Sequence, residues 1–105
     1  MFTGDRLPSW IIDLNTGNTA DDLTPATWRF VASRVGSDGD VVVFTDSPAS
    51  VVVDPVNKYK AVLTHVWAAG QTDTAGELYG YATIVWPDGK EQTFPPARRT
   101  ITQAP

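Results

Sequence analysis

Apolar side chains recur at every second position through most of this chain, and clusters of Gly, Pro, Asn and Asp divide the runs roughly every eight to twelve residues. An apolar period of two predicts β-strands, because successive side chains of a strand point to opposite faces of a sheet. No segment shows the period of about 3.6 residues that marks an amphipathic helix. We therefore expect the chain to bury its apolar residues between sheets.

The runs predict about seven or eight short strands, a number typical of a β-sandwich. The predicted strands are 9–14, 27–35, 40–45, 50–54, 59–67, 76–86, 90–94 and 99–103. The predicted inward side chains are Trp10, Ile12, Leu14, Trp28, Phe30, Ala32, Leu63, His65, Trp67, Leu78, Gly80, Ala82 and Ile84. In a chain of 105 residues, this pattern predicts a single domain, residues 1–105, folded as an all-β antiparallel sandwich of immunoglobulin-like type.

The segment W-P-D-G-K-E-Q-T-F-P-P, residues 86–96, predicts a β-hairpin. Pro87 sets the φ angle of the first corner, Asp88 suits the second corner, and Gly89 accepts the left-handed conformation that follows. Alternating apolar residues precede this turn and a polar segment follows it. We expect the turn to join strands 76–86 and 90–94.

Composition excludes several classes of function. The chain has no cysteine, so disulfide frameworks, thiolate zinc sites and thiol catalysis are excluded. A net charge of −4 disfavours binding to nucleic-acid phosphates. No apolar run approaches the roughly 20 residues that span a bilayer, and the start lacks a signal peptide's pattern. We expect no nucleic-acid or membrane partner, no cofactor and no small-molecule substrate.

Few residues offer catalytic or metal chemistry. His65 is the only histidine, and no nucleophile motif accompanies it, so we interpret it as a strand residue at the edge of the core. Asp38 and Asp40 resemble a fragment of a calcium loop but lack its distal glutamate, and Asp21 and Asp22 are adjacent and point apart. We expect no catalytic, cofactor-binding or metal-binding residue, and no enzymatic activity.

Exposed aromatic residues leave one alternative open. The four tryptophans occupy strand positions that favour the core, although a row of them would suit a sugar ring. A carbohydrate-binding β-sandwich module using Tyr79, Tyr81 and Trp86 is therefore the alternative from another functional class. Hydrolase activity ranks third, because no set of acid, base and nucleophile can be named.

Two valine runs, residues 41–44 and 51–53, break the alternation expected of a strand with one wet face. Their second face needs a cover, which either loops of the same chain or a neighbouring subunit can supply. The N-terminal residues are a further candidate contact. The candidate protein-interface residues are Val41, Val43, Phe44, Val51, Val53, Met1 and Phe2.

Three motifs occur in a fixed order: G-D-R-L-P near the start, D-L-T-P-A-T-W-R-F before the second strand, and D-T-A-G-E-L-Y-G-Y-A-T-I-V-W-P-D-G-K-E-Q-T-F-P near the end. In that order, from Gly4 to Ile101, they resemble the N-terminal domain of phage baseplate upper proteins and related short tailed-phage virion proteins. The resemblance implies an immunoglobulin-like sandwich that serves as an assembly module in a tailed bacteriophage particle.

The expected function is therefore that of a non-enzymatic structural protein of a tailed-phage virion. A tail or baseplate component is the first expectation, and a head-decoration or head-tail connection protein is the second. The expected partners are copies of the same chain and other virion proteins. The expected location is the virion, assembled in the host cytoplasm.

Overall fold

The described residues form eight β-strands and no helix. The structure is a computed structural model that describes residues 1–6, 8–36, 39–46 and 50–105. The strands are β1 (Trp10–Asn15), β2 (Thr27–Gly36), β3 (Gly39–Asp46), β4 (Ser50–Val53), β5 (Lys60–His65), β6 (Gly76–Val85), β7 (Glu91–Thr93) and β8 (Ala97–Ile101). The predicted all-β class is confirmed, and the last strand begins at Ala97 instead of position 99.

The strands form two antiparallel sheets. One sheet has three strands in the order β1-β5-β4, and the other has five, with β3-β2-β6-β7 in order and β8 also paired with β6. The three-stranded sheet follows the B-E-D order of an immunoglobulin sandwich, and the five-stranded sheet follows the C′-C-F-G order, with the G position split into β7 and β8. Pro95 and Pro96 account for this split because proline has no N–H to donate to a ladder.

The P-D-G turn is present as predicted. The Gly89 N–H donates to the Trp86 carbonyl at 2.9 Å, and the Trp86 N–H donates to the Lys90 carbonyl at 2.9 Å. Gly89 has a φ of 92°, a conformation that glycine adopts without steric penalty. β6 and β7 pair from Thr83 to Val85, so the turn closes a hairpin.

The N-terminal segment pairs with the five-stranded sheet. Phe2 forms a parallel bridge with Thr102, and the Thr102 N–H donates to the Met1 carbonyl at 2.8 Å. In a typical immunoglobulin sandwich, the first strand also lies beside strand B. In the described part of this chain, β1 pairs with β5 alone, so its outer edge has no strand partner.

Aromatic rings from both sheets fill the centre of the sandwich. Trp10 on β1 stacks on Trp67 at 5.5 Å and meets the edge of Phe30, from β2, at 5.4 Å. The inward faces agree with the alternation seen in the sequence: β1 buries Trp10, Ile12 and Leu14, and β6 buries Leu78, Gly80, Ala82 and Ile84. The two sheets therefore share one core.

Gly80 lets the backbone of β6 approach these rings. A Cβ atom at position 80 would lie 2.7 Å from Cζ of Phe30 and 2.8 Å from Cη2 of Trp10. Such distances require the rings to move, because a packed interior has no free space beside them. The absence of a side chain at Gly80 is thus a packing requirement.

We expect Gly80→Ala to lower the free energy of unfolding by about 1–3 kcal/mol, because the Phe30 ring must shift. In a Phe30→Leu background this loss should shrink. The control is Gly89→Ala, whose penalty comes from its positive φ and should be equal in both backgrounds. Denaturant unfolding of the variants measures both values, and an unchanged Gly80→Ala penalty would contradict the contact.

Candidate functional site

His65 lies inside the sandwich with only 1% of its surface exposed, deeper than the core-edge position predicted from the sequence. Its Nε2 lies 3.0 Å from Oε1 of Gln71, and the Ala68 N–H donates to the same oxygen at 2.9 Å. Because this amide oxygen is an acceptor, Nε2 carries the hydrogen. The ring also stacks on Phe44 at 4.9 Å. In this arrangement, His65 anchors the loop between β5 and β6.

The carboxylate candidates do not form a shared site in the described residues. Asp22 accepts the Thr24 N–H at 2.9 Å, and hydrogen bonds from Thr24 lower the pKa of this exposed carboxyl. Asp38 lies outside the described residues, as does the side chain of Asp40. In the described ranges, no three His, Cys, Asp or Glu side chains come close enough to hold a metal ion.

The tryptophans pack into or against the core, as the strand positions predicted. Trp10 and Trp67 are buried, while Trp28 is half-buried and stacks on Phe94 at 6.1 Å. Trp86 is half-buried, packs against the core, and donates its indole N–H to the Asp22 carbonyl at 2.9 Å. These contacts occupy the rings that a sugar platform would need to present to solvent.

Tyr79 and Tyr81 lie on the outer face of the five-stranded sheet and are half-buried. The Tyr79 hydroxyl donates to Oε2 of Glu77 at 3.1 Å, and Glu77 also forms an ion pair with Arg98. Trp86 is held at the far end of β6 by its bond to Asp22. The three aromatic residues named for carbohydrate binding therefore do not form one continuous platform.

The structure separates the two faces of the second valine run. Val51 and Val53 pack against the core, whereas Val52 is 65% exposed. Val52 therefore occupies the outward phase of β4. The alternation of inward and outward positions, unclear from three consecutive valines, follows from the pairing of β4 with β5.

In the first valine run, inward and outward positions do not alternate regularly, because the pairing of β3 with β2 shifts register. Ala32 pairs with Phe44 and Ser33 pairs with Val42, which leaves Val43 as an extra residue. Such a bulge shifts the phase of a strand. Val43 and Phe44 both pack against the core, and Val42 is 61% exposed.

The seven interface candidates therefore occupy different environments. Val43, Phe44, Val51, Val53 and Met1 are half-buried and pack against the core. Phe2 is 48% exposed. The side chain of Val41 lies outside the described part of the structure. An interface role for these residues stays a prediction.

The largest exposed apolar side chains of the three-stranded sheet share its solvent side. Val52 lies opposite Val62, which lies opposite Asp13, and Ile11 lies diagonally across from Val62. Val66, the residue directly after β5, continues the outward alternation of that strand. We call this surface the apolar outer face and define it by Ile11, Val52, Val62 and Val66. All four are exposed, Ile11 to 65%. A sheet face in contact with water more commonly carries polar side chains.

A groove of about 530 Å³ lies against the same sheet and is lined by residues of β1, β4 and β5 and by residues next to these strands. Its lining combines Val52 and Val62 with the charged residues Asp13, Asp54 and Lys60. An apolar floor with a few charged groups suits a protruding side chain or loop of another protein. The groove and the apolar outer face together form the candidate interaction surface.

Sequence reasoning missed Ile11, Val62 and Val66 as interface candidates, and within the run 51–53 it named Val51 and Val53 but not the exposed Val52. The signal was the pair Ile11-Ile12 next to Trp10: if Trp10 and Ile12 point inward, Ile11 must point outward. The same reasoning applies to Val62 and Val66, which alternate with the inward residues Leu63, His65 and Trp67. Apolar residues at outward positions therefore identify this surface.

Comparison with protein-family models, with curated proteins and with solved structures found no match to this chain. The described residues include no helix with the length and apolarity needed to cross a membrane.

We expect Gln71→Leu to destabilise the fold by about 1–3 kcal/mol, because the buried Nε2–H of His65 loses its acceptor. The exposed Gln103 provides the matched control, and Gln103→Leu should leave stability nearly unchanged. Thermal and denaturant unfolding measure both variants. Equal stability of the two variants would contradict the anchoring role of His65.

Asp54 should contribute a pH-dependent term to stability. Its carboxyl accepts N–H groups from Asn57 and Val56 at 2.8 Å each, and these bonds lower its pKa from 3.8. A depressed folded-state pKa means that the contribution is present above the unfolded pKa and is lost as pH falls through the folded value. Asp54→Ala should therefore destabilise the protein near neutral pH and much less in strong acid.

Asp54→Asn is the control, because its amide oxygen can still accept N–H groups but does not titrate over this range. Unfolding curves at a series of acidic pH values measure both variants. A constant difference between the native protein and Asp54→Ala from neutral pH to strong acid would refute the assignment.

Proposed function

We propose that this protein is a non-enzymatic structural module of a tailed-bacteriophage virion and acts by contact with other virion proteins and copies of itself. The observation that carries the proposal is the apolar outer face, where Ile11 and Val52 are each 65% exposed. Burial of apolar surface contributes roughly 25 cal/mol per Å², so this surface favours association with another protein.

The resemblance of the ordered motifs to phage baseplate upper proteins supplies the context of the proposal. A tail or baseplate position is the first choice, with head decoration or head-tail connection as the second. Such a component would be assembled in the host cytoplasm and reside in the virion. The net charge of −4 is consistent with protein partners in preference to nucleic acid.

The side-chain contacts also support a structural role. His65 is committed to Gln71 within the core, and Asp22 and Asp54 hold local turns. Trp86 is bonded to the Asp22 carbonyl. These groups stabilise the fold through their present contacts, which favours an assembly module over the carbohydrate-binding alternative.

We expect Val52→Asp to leave the isolated domain folded but to prevent its incorporation into particles, because a carboxylate on the apolar outer face must be desolvated in a contact. The matched variant is Val51→Asp, one residue away on the inward face, which should unfold the domain. Circular dichroism measures folding, and quantitative mass spectrometry of purified phage particles that carry the variant gene measures incorporation.

Normal incorporation of Val52→Asp would exclude the apolar outer face as the assembly surface. Absence of the native chain from purified particles would overturn the virion proposal as a whole.

A further inference from the structure

Among the residues that the structure describes, no strand pairs with the outer edge of β1. The Thr16 N–H donates to the Tyr59 carbonyl, which extends the β1–β5 register by one residue pair. In an antiparallel ladder, hydrogen-bonded pairs alternate with pairs that are not bonded. The backbone N–H and carbonyl groups of the even-numbered residues of β1 therefore face β5. The backbone N–H and carbonyl groups of Ile11 and Asp13 face away from it.

Ile11 combines this open backbone with an exposed side chain. Its side chain lies on the apolar outer face, and its N–H and carbonyl groups point to the side where the described chain supplies no strand. Asp13, also exposed, places a negative charge two residues further along the same edge. An added strand would thus meet backbone hydrogen-bonding groups, one apolar side chain and one carboxylate.

We propose that β1 pairs antiparallel with β1 of a second copy of this chain, across a two-fold axis at Ile11. This inference rests on the proposed assembly function and identifies one of its contacts. Ile11 lies opposite Ile11 of the second copy, and the two residues exchange both backbone hydrogen bonds. Asp13 then lies opposite Ser9 of the second copy, a hydroxyl that can donate to the carboxylate.

The charges of the edge favour this register over its neighbours. Pairing centred on Asp13 would set two carboxylates directly opposite each other, which is destabilising. Pairing centred on Ile12 would set each Ile11 against a carboxylate. Only the register centred on Ile11 brings the exposed isoleucines together and separates the two Asp13 side chains.

The pairing also joins the apolar outer faces of the two copies into one surface. The combined sheet has the order β4-β5-β1-β1-β5-β4, with β4 at both ends. A contact between identical surfaces about a two-fold axis closes at a dimer. Because each backbone hydrogen bond adds only modest net stability, the dimer should depend on protein concentration.

Disulfide trapping tests the register directly. The chain has no cysteine, so Ile11→Cys introduces a single thiol at the proposed axis. Hydrogen-bonded partners have Cα atoms about 5.5 Å apart, within the range of about 4.4–6.8 Å that a disulfide spans. Under mild oxidation, Ile11→Cys should form a covalent dimer whose yield rises with protein concentration.

Two cysteine variants serve as matched controls. The first is Val52→Cys. In the native chain, Val52 is exposed to the same 65% as Ile11, but it lies on β4, at the opposite edge of the sheet from the proposed contact. Asp13→Cys lies on the edge itself, yet its two copies would be roughly 14 Å apart at about 3.4 Å per residue. Both controls should stay monomeric under the same oxidation.

A proline variant tests the backbone contact in the absence of oxidant. Ile11→Pro removes an N–H that faces solvent, a position where an edge strand tolerates proline. We expect it to weaken dimerisation by about tenfold or more, because both central hydrogen bonds are lost. Ile11→Ala keeps the N–H and should weaken it less. Sedimentation velocity measures association, and circular dichroism checks the fold.

The pairing is supported if Ile11→Cys cross-links and the two control variants do not. Equal cross-linking of Val52→Cys or Asp13→Cys would overturn it in favour of a face contact or another register. Monomers for all three variants, together with a native chain that stays monomeric, would also overturn it. If Val52→Asp still blocks incorporation into particles in that case, the proposed function stands and only self-pairing is wrong.

Discussion

The stack of Trp10 on Trp67 is the contact on which the rest of the sandwich depends. Trp10 comes from β1, Trp67 follows β5, and Phe30 reaches them from the opposite sheet, with ring centroids 5.4–5.5 Å from Trp10. His65 meets Phe30 at 5.3 Å and Trp67 at 5.3 Å. Aromatic side chains bury more surface than other apolar residues, so a small sandwich gains much of its core from this cluster.

The same cluster directs the path of the N-terminal segment. The Trp67 indole N–H donates to the Pro8 carbonyl at 3.0 Å, and the Trp67 carbonyl accepts Nε of Arg6 at 3.3 Å. Thr72, in the loop after Trp67, donates its hydroxyl to the Asp5 carbonyl at 2.7 Å. These bonds hold the segment beside the loop before β6 and near β8. Trp67 therefore both stacks on Trp10 in the core and holds the N-terminal segment in a position where it does not pair with the outer edge of β1.

Alternation in the sequence predicted the strands and most of the core, because a strand with one buried face records its orientation in every second residue. It correctly assigned the inward faces of β1 and β6 and the joint burial of Leu63, His65 and Trp67. The P-D-G turn was predictable because its residues have strong local preferences. Features that depend on the local preferences of single residues could therefore be predicted from the sequence.

The remaining features depend on pairing between distant segments. The bulge at Val43 arises from the register of β3 against β2, and no residue in the run V-V-V-F marks the extra position. The inward phase of Val51 and Val53 follows from their partners on β5. The path of the N-terminal segment depends on bonds between Trp67 and the distant residues Arg6 and Pro8, so the open edge of β1 could not be read from the sequence.

The close approach at Gly80 has a consequence for sequence divergence. Its missing Cβ leaves room for one ring from each sheet, Trp10 and Phe30. The residues at positions 10, 30 and 80 should therefore covary among homologous sequences. A homologous sequence with a larger residue at position 80 should carry a smaller side chain at position 10 or 30, and glycine should persist wherever both rings do.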